Sequence, residues 1–549
     1  MKKFYNGLLI FFSIFWVSFV LLDYLQKHQH YATNIEFSQF LGLFWIVFFH
    51  AIIGGALFHF FKSKFTNLLR GGLLIIPGLL LVSITYIFAF NNAPIDPFVS
   101  NNKVPIEPAK FGEIIYILFN YFMVGIQVFF IVLASYSVGQ WSISKLSLDL
   151  KPASKTAISI GTGIMIVVMI SFVLGIFKVL YWFTLGPILL ACLAIDYKSN
   201  LLFIKNLVIE PIKPSKYLGF IGVSSMLLLL FVVQLNLAQN MSPFPKGFDS
   251  LALYVNLPTI INDYHGLVRG YQPYNWSLFM SYGLVLFNSL ETVLALSYVG
   301  GILCLVALYA LGKDVLKMNQ NYILLGLLIF YIIPSVGFQS FQEQKVDLGL
   351  LFIALCLILL LFAWIKSLPL DGQKEDIENQ SFSLRSFLNP YLILMGLMTG
   401  FAFGIKLTTL FSYFSIIAIM WFLEFGFLGF LGSSFLCCFA ILLVKLDDMS
   451  GMRQYHLSAN YVQWILLVIG LGAFGYLFLK SNKGFFRVIG FSLVYTIFFG
   501  VMSVPWIAKN YIDSDMTLSF KYLLNGKTNA PAANLKYLDR KYNQQQKGN

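Results

Sequence analysis

Leu, Ile, Phe and Val fill long unbroken runs along the whole chain, and polar residues are confined to the breaks between them. Many runs reach the roughly 20 residues that a helix needs to cross a bilayer. Barrel strands would instead show short segments of alternating polarity, and these are absent. Spans are expected at residues 5–25, 39–61, 71–90, 113–138, 156–177, 179–196, 217–237, 292–312, 322–340, 347–366, 390–405, 407–425, 427–445, 460–479 and 486–504. The pattern predicts an all-α polytopic membrane protein with about fifteen transmembrane helices. The first run follows Met1-Lys2-Lys3, is long, and lacks a small-residue cleavage site. It is expected to stay as a first helix rather than to be removed as a signal peptide.

Composition agrees with this reading. Hydrophobic residues make up 58% of the chain and charged residues 11%, with a mean hydropathy of +0.78. A water-exposed domain carries about 25% charged residues. The net charge of +13 does not ask for a nucleic-acid partner, because Lys and Arg collect in cytoplasmic loops and set orientation. Such clusters occur at Lys62, Lys64 and Arg70, at Lys145, Lys151 and Lys155, at Lys313 and Lys317, and at Lys480, Lys483 and Arg487. With these inside the cell, residues 238–291, 342–346, 446–459 and everything after 505 are expected on the extracytoplasmic face of the cell membrane. The five cysteines all fall in apolar runs and suggest neither a disulfide framework nor a metal cluster.

One polar, aromatic stretch interrupts the pattern: "FDSLALYVNLPTIINDYHGLVRGYQPYNW", Phe248–Trp276. Leu253, Leu257, Ile260 and Ile261, with Tyr254 and His265, fit a helix lying in the membrane interface. Asp249 reads either as the cap of that helix or as a reactive carboxylate. Glu343, Lys345 and Asp347 crowd a short turn, where Asp347 either favours a helix N-terminus or meets a second acid over a pocket. "GLMTGFAFGIKLTTL" carries Gly396, Gly400 and Gly404 as a ridge for close helix packing, with Lys406 at its end. Lys406 either snorkels to the interface or sits beside a phosphate. Arg269, Arg453 and Lys509 read as interface anchors or as phosphate partners. His265 and His456, with the carboxylates, offer ligands for a divalent metal, although their spacing specifies none. No P-loop, dinucleotide fingerprint or Ser-His-Asp signature is present.

The order of these elements resembles the GT-C superfamily of polyprenyl-phosphate-sugar-dependent glycosyltransferases, of the protein O-mannosyltransferase and aminoarabinose transferase type. "GFDSLALYVNLP" (247–258) resembles the acid-led first loop, and "YNWSLFMSYGLVLFN" (274–288) its aromatic end. "KVDLGLLFIALCLILLL" (345–361) resembles the acid-led helix after the second loop. "GLMTGFAFGIKLTTLF" (396–411) resembles the glycine-rich helix ending in Lys, and "VPWIAKNYIDSD" (504–515) the Pro-Trp, basic-Asn element. Tyr254 is followed by Val255 where the family often has His, and Lys509 stands where Arg is commoner. The resemblance implies a catalytic region at 217–515, preceded by extra helices at 1–216 and followed by a polar tail at 516–549. It implies that Asp249 is the general base for an acceptor hydroxyl, and that Asp347 orients the acceptor or a metal. Lys406 and Arg453 would stabilise a leaving polyprenyl phosphate, with Lys345, Arg269, Lys509 and His265 as further contacts. Tyr254, Tyr271, Tyr274 and Trp276 would border or stack on the sugar. The donor would be a polyprenyl-phosphate sugar, and the acceptor a lipid, glycan or protein at the membrane.

Two other readings share the composition. A secondary transporter predicts internal repeats and broken helices with polar residues at mid-membrane; no clear repeat is visible. A flippase or polymerase for lipid-linked glycans predicts a cationic central cavity instead of acids in loops.

Overall fold

The computed structural model describes residues 111–205, 219–240, 253–341, 345–368, 388–443, 460–516 and 523–524, and their regular structure is entirely helical. In chain order the helices are α1 (Phe111–Lys145), α2 (Pro152–Ile176), α3 (Trp182–Ile195), α4 (Tyr197–Ile204), α5 (Phe220–Asn240), α6 (Asn256–Tyr264), α7 (Asn275–Met280) and α8 (Tyr282–Phe287). They continue with α9 (Leu290–Ala310), which ends in a π turn, α10 (Gln320–Ile332), α11 (Pro334–Phe341), α12 (Asp347–Ser367), α13 (Pro390–Phe403), α14 (Thr409–Leu443), α15 (Asn460–Lys480) and α16 (Asn482–Asp513). Seven of them are long and apolar enough to cross a bilayer: α1, α2, α9, α12, α14, α15 and α16. The pair α3–α4, bent by 81°, would make an eighth.

This is fewer than the fifteen spans expected, for identifiable reasons. The segments expected at 5–25, 39–61 and 71–90 lie outside the described residues. The segment expected at 322–340 is broken where Ile333 turns to ψ 128° ahead of Pro334; a residue before proline is pushed out of helical geometry. α13 holds 14 residues, below span length. The segments 407–425 and 427–445 merge into α14, but Gly426 at φ 64°, ψ −149° breaks it between them. Gly429 consequently faces the Trp421 backbone, so the chain folds back on itself there.

Small residues set how closely the helices pack. A Cβ on Gly163 would collide with the backbone of Ser135, which locks α2 onto α1. The ridge on α13 works in the same way. A Cβ at Gly396 would stand 2.6 Å from the Tyr495 carbonyl oxygen, and one at Gly400 would collide with the Phe499 carbonyl, so α13 lies against the backbone of α16. The centre is aromatic: Trp276, Trp364, Trp506, Tyr282, Tyr495 and Phe352 are all fully buried.

Among the described residues the charged groups gather at the two ends of the bundle. At one end Lys151 donates to the Asp314 carbonyl at 2.9 Å, and the Asp314 carboxylate accepts the Ser154 N–H at 2.7 Å. There the Tyr391 hydroxyl also accepts the Asp149 N–H at 3.0 Å, and Arg487 pairs with Glu424. At the other end Asn240 reaches the Leu294 carbonyl at 2.8 Å. The same end holds the segments 265–274, 345–347 and 404–408 with the last turns of α16. Arg487 and Lys509 lie 22 positions apart on α16, about 33 Å at helical rise, close to the thickness of a hydrocarbon core.

Candidate functional site

α13 opens on Pro390 at its first turn, with Asn389 capping the Tyr391 N–H at 2.9 Å. It closes at Gly404, where the helix gives way to the short segment 404–408 before α14 begins. Lys406 lies in this break, just past the electronegative end of α13. Asp347 lies in the first turn of α12, at its electropositive end. Each charge therefore occupies the helix terminus that favours it. Lys406 Nζ donates to Asp347 Oδ1 at 2.6 Å, with the two side chains 40% and 25% exposed.

Lys406 borders a cavity of about 220 Å³. Tyr254, Tyr271, Tyr274 and Ser277 line it, together with Val346, next to Asp347, and Leu410, Phe411 and Ile441 of α14. Phe411 is exposed on the outer surface of the bundle. The lining thus combines a charge and aromatic rings with apolar side chains.

The loop 265–274 is held over this cavity by a dense polar network. The Tyr274 hydroxyl accepts the Val268 N–H at 2.6 Å. Burial pushes the Tyr274 phenol above its ordinary pKa, and the hydrogen bond from Val268 opposes this in part. Asp513 accepts the Gly270 N–H at 2.8 Å and pairs with Lys509 at 2.7 Å. Asn275 ties three elements together. Its N–H reaches the Gly404 carbonyl at 2.7 Å, its Nδ2 the Phe401 carbonyl at 2.8 Å, and its Oδ1 accepts from Trp506 Nε1 at 2.9 Å. A Cβ on Gly404 would run into the Asn275 side chain, which is why a glycine ends α13.

The structure brings Asp347, Lys406 and Tyr254 to one place, with Lys345 just before Val346 on the cavity wall. Asp249, Arg453 and His456 lie outside the described residues. Lys509 is committed to Asp513, and the pair is 9% and 11% exposed, so its charge holds the loop in place and is not offered to a ligand. Arg269 is exposed near the tip of the loop. His265 is turned away: its ring stacks on Tyr181 with centroids 3.8 Å apart, and Nδ1 meets the Leu180 carbonyl at 3.3 Å. Trp276 is fully buried, packed edge and face against Gly349, and has no free face for a sugar. α6 exists, but Leu257, Ile260 and Ile261 are buried in the protein, so its apolar side faces the core and not a membrane surface. Among the described residues no group of three His, Cys, Asp or Glu side chains could hold a metal ion.

Sequence reasoning passed over Asn275, Ser277 and Asp513. The signal available for them was the presence of small polar residues between aromatics in an otherwise apolar chain. No family model, curated protein or solved structure matches this chain.

Proposed function

We propose that the protein is an integral membrane glycosyltransferase that moves a sugar from a polyprenyl-phosphate donor to an acceptor hydroxyl at the end of the bundle bearing Lys406 and Asp347. The observation that carries this reading is the Lys406–Asp347 pair at 2.6 Å on the rim of an aromatic cavity that apolar side chains of α14 also line. A lipid-borne phosphate needs a cation at the membrane boundary together with an apolar path for its chain, and this cavity combines the two.

In the reaction the acceptor oxygen bonds to the anomeric carbon as the bond from that carbon to the phosphate oxygen breaks. The acceptor proton passes to a carboxylate, and the electron pair leaves on the polyprenyl phosphate. Lys406 faces the charge that grows on the phosphate, and a preorganised cation is an efficient stabiliser of such charge. Asp347 holds Lys406 in position. By the GT-C resemblance the proton acceptor is Asp249. The extracytoplasmic placement of the site belongs to the same proposal and rests on the distribution of cationic loops.

The test is sugar transfer by the purified protein from polyprenyl-phosphate donors. Lys406→Met should reduce transfer by about 100-fold or more, the range reported for loss of one charge-stabilising group. A protein that moves lipid-linked sugar across vesicles without cleaving it would instead be a transporter. That second reading draws on the broken helices α10–α11 and α13–α14, since discontinuous helices line transporter sites.

A further inference from the structure

Ser277 lines the cavity, is wholly buried, and its hydroxyl has no hydrogen-bond partner among the described residues. Serines within helices ordinarily donate to a carbonyl about one turn back. Ser281, one turn further along, does so toward Leu278 at 2.7 Å, and Ser171 shares a 2.6 Å bond with the Tyr282 hydroxyl. Of the buried side-chain groups without a partner among the described residues, Ser277 Oγ is the one whose residue lines this cavity. Buried polar groups are satisfied in the great majority of cases, so an unsatisfied hydroxyl on the wall of a cavity calls for a ligand.

The required ligand chemistry can be narrowed. A phosphate offers only acceptors, and Lys406 already supplies the charge it needs. A hydroxyl offers both a donor and an acceptor, which matches the two capacities of the Ser277 hydroxyl. The rings of Tyr254, Tyr271 and Tyr274, which line the same cavity, suit the apolar face of a pyranose. We infer that Ser277 is a ligand-binding residue that hydrogen-bonds a hydroxyl of the donor sugar and thereby sets which sugar the site accepts. This rests on the glycosyltransferase reading above. A site built to bond a hydroxyl discriminates strongly against a ligand lacking it, because its own polar group is then left unpaired.

Ser277→Ala provides a clean test, since it removes an unpaired group and introduces a better helix former, so the fold should survive. Binding would be measured on full-length protein in nanodiscs, with farnesyl phosphate and with farnesyl phosphate carrying glucose, mannose, galactose or N-acetylglucosamine. The expected result is that Ser277→Ala weakens the tightest glycosylated probe about ten-fold or more and leaves bare farnesyl phosphate unchanged. Equal affinity of wild type and variant for that probe overturns the role of Ser277, as does a wild type that binds bare farnesyl phosphate as tightly as every glycosylated form. If no probe binds the wild type, the glycosyltransferase reading falls, and this inference with it.

Discussion

Lys406 and Asp347 are 59 positions apart in the chain, yet Nζ and Oδ1 meet at 2.6 Å, joining the break after α13 to the first turn of α12. Because both side chains are partly exposed, the pair contributes little to stability; exposed pairs measure about 0–1 kcal/mol. Lys406→Met and Asp347→Asn should each shift unfolding by no more than that, while transfer falls by about 100-fold or more with Lys406→Met. The exchanged double variant, Lys406→Asp with Asp347→Lys, restores an ion pair but sets each charge at the helix terminus that disfavours it, so it should recover only part of the lost stability and none of the transfer. Recovery of transfer by the exchange would remove Lys406 from the phosphate.

Lys509 and Asp513 should behave in the opposite manner. Their pair is nearly buried and also receives the Gly270 N–H. Removing one member of such a pair costs about 3–5 kcal/mol, whereas replacing both with apolar groups is often neutral. Lys509→Met should therefore destabilise more than the double variant Lys509→Met/Asp513→Leu. Hydrogen exchange at the Gly270 amide should accelerate in both, because in each it loses the acceptor or the acceptor's anchor.

The glycines divide into two testable groups. Gly404→Ala drives a Cβ into Asn275 and should destabilise by about 1–3 kcal/mol, as overpacking does. Gly472→Ala meets open space on the exposed side of α15 and should gain roughly 0.5–1 kcal/mol of helix propensity. Comparing denaturant midpoints of the two variants checks both signs.

Gly426 makes a separate prediction. Its φ of 64° with ψ of −149° belongs to a region reached almost only by glycine. Gly426→Ala should cost about 1–3 kcal/mol, although no neighbouring atom obstructs a side chain there. A variant as stable as the wild type would mean that the two arms of α14 form one continuous helix.

The positions of the apolar runs made most helices legible, including the break at Gly426 between two expected segments. The glycine ridge on α13 was legible too, because close packing requires small residues at that spacing. Pairing across the bundle was not. Nothing in "VPWIAKNYIDSD" marks Asp513 as the acceptor for Gly270, since that bond spans 243 positions. Trp276 reads as a surface aromatic in a polar loop, and only the close approach of Gly349 explains its burial. Leu257, Ile260 and Ile261 have helical spacing whether they face lipid or protein, so periodicity alone assigned them to the wrong neighbour.

The bond between Trp506 and Asn275 closes a span of 231 residues, and it bears on how the protein is made. At about 5–20 residues per second, a ribosome needs on the order of 10–50 s to reach Trp506 after Asn275 has emerged. During that interval the loop over the cavity lacks both its indole donor and the Asp513 anchor. Nascent chains arrested before residue 506 should therefore leave the 265–274 segment open to protease, and release of the full chain should close it.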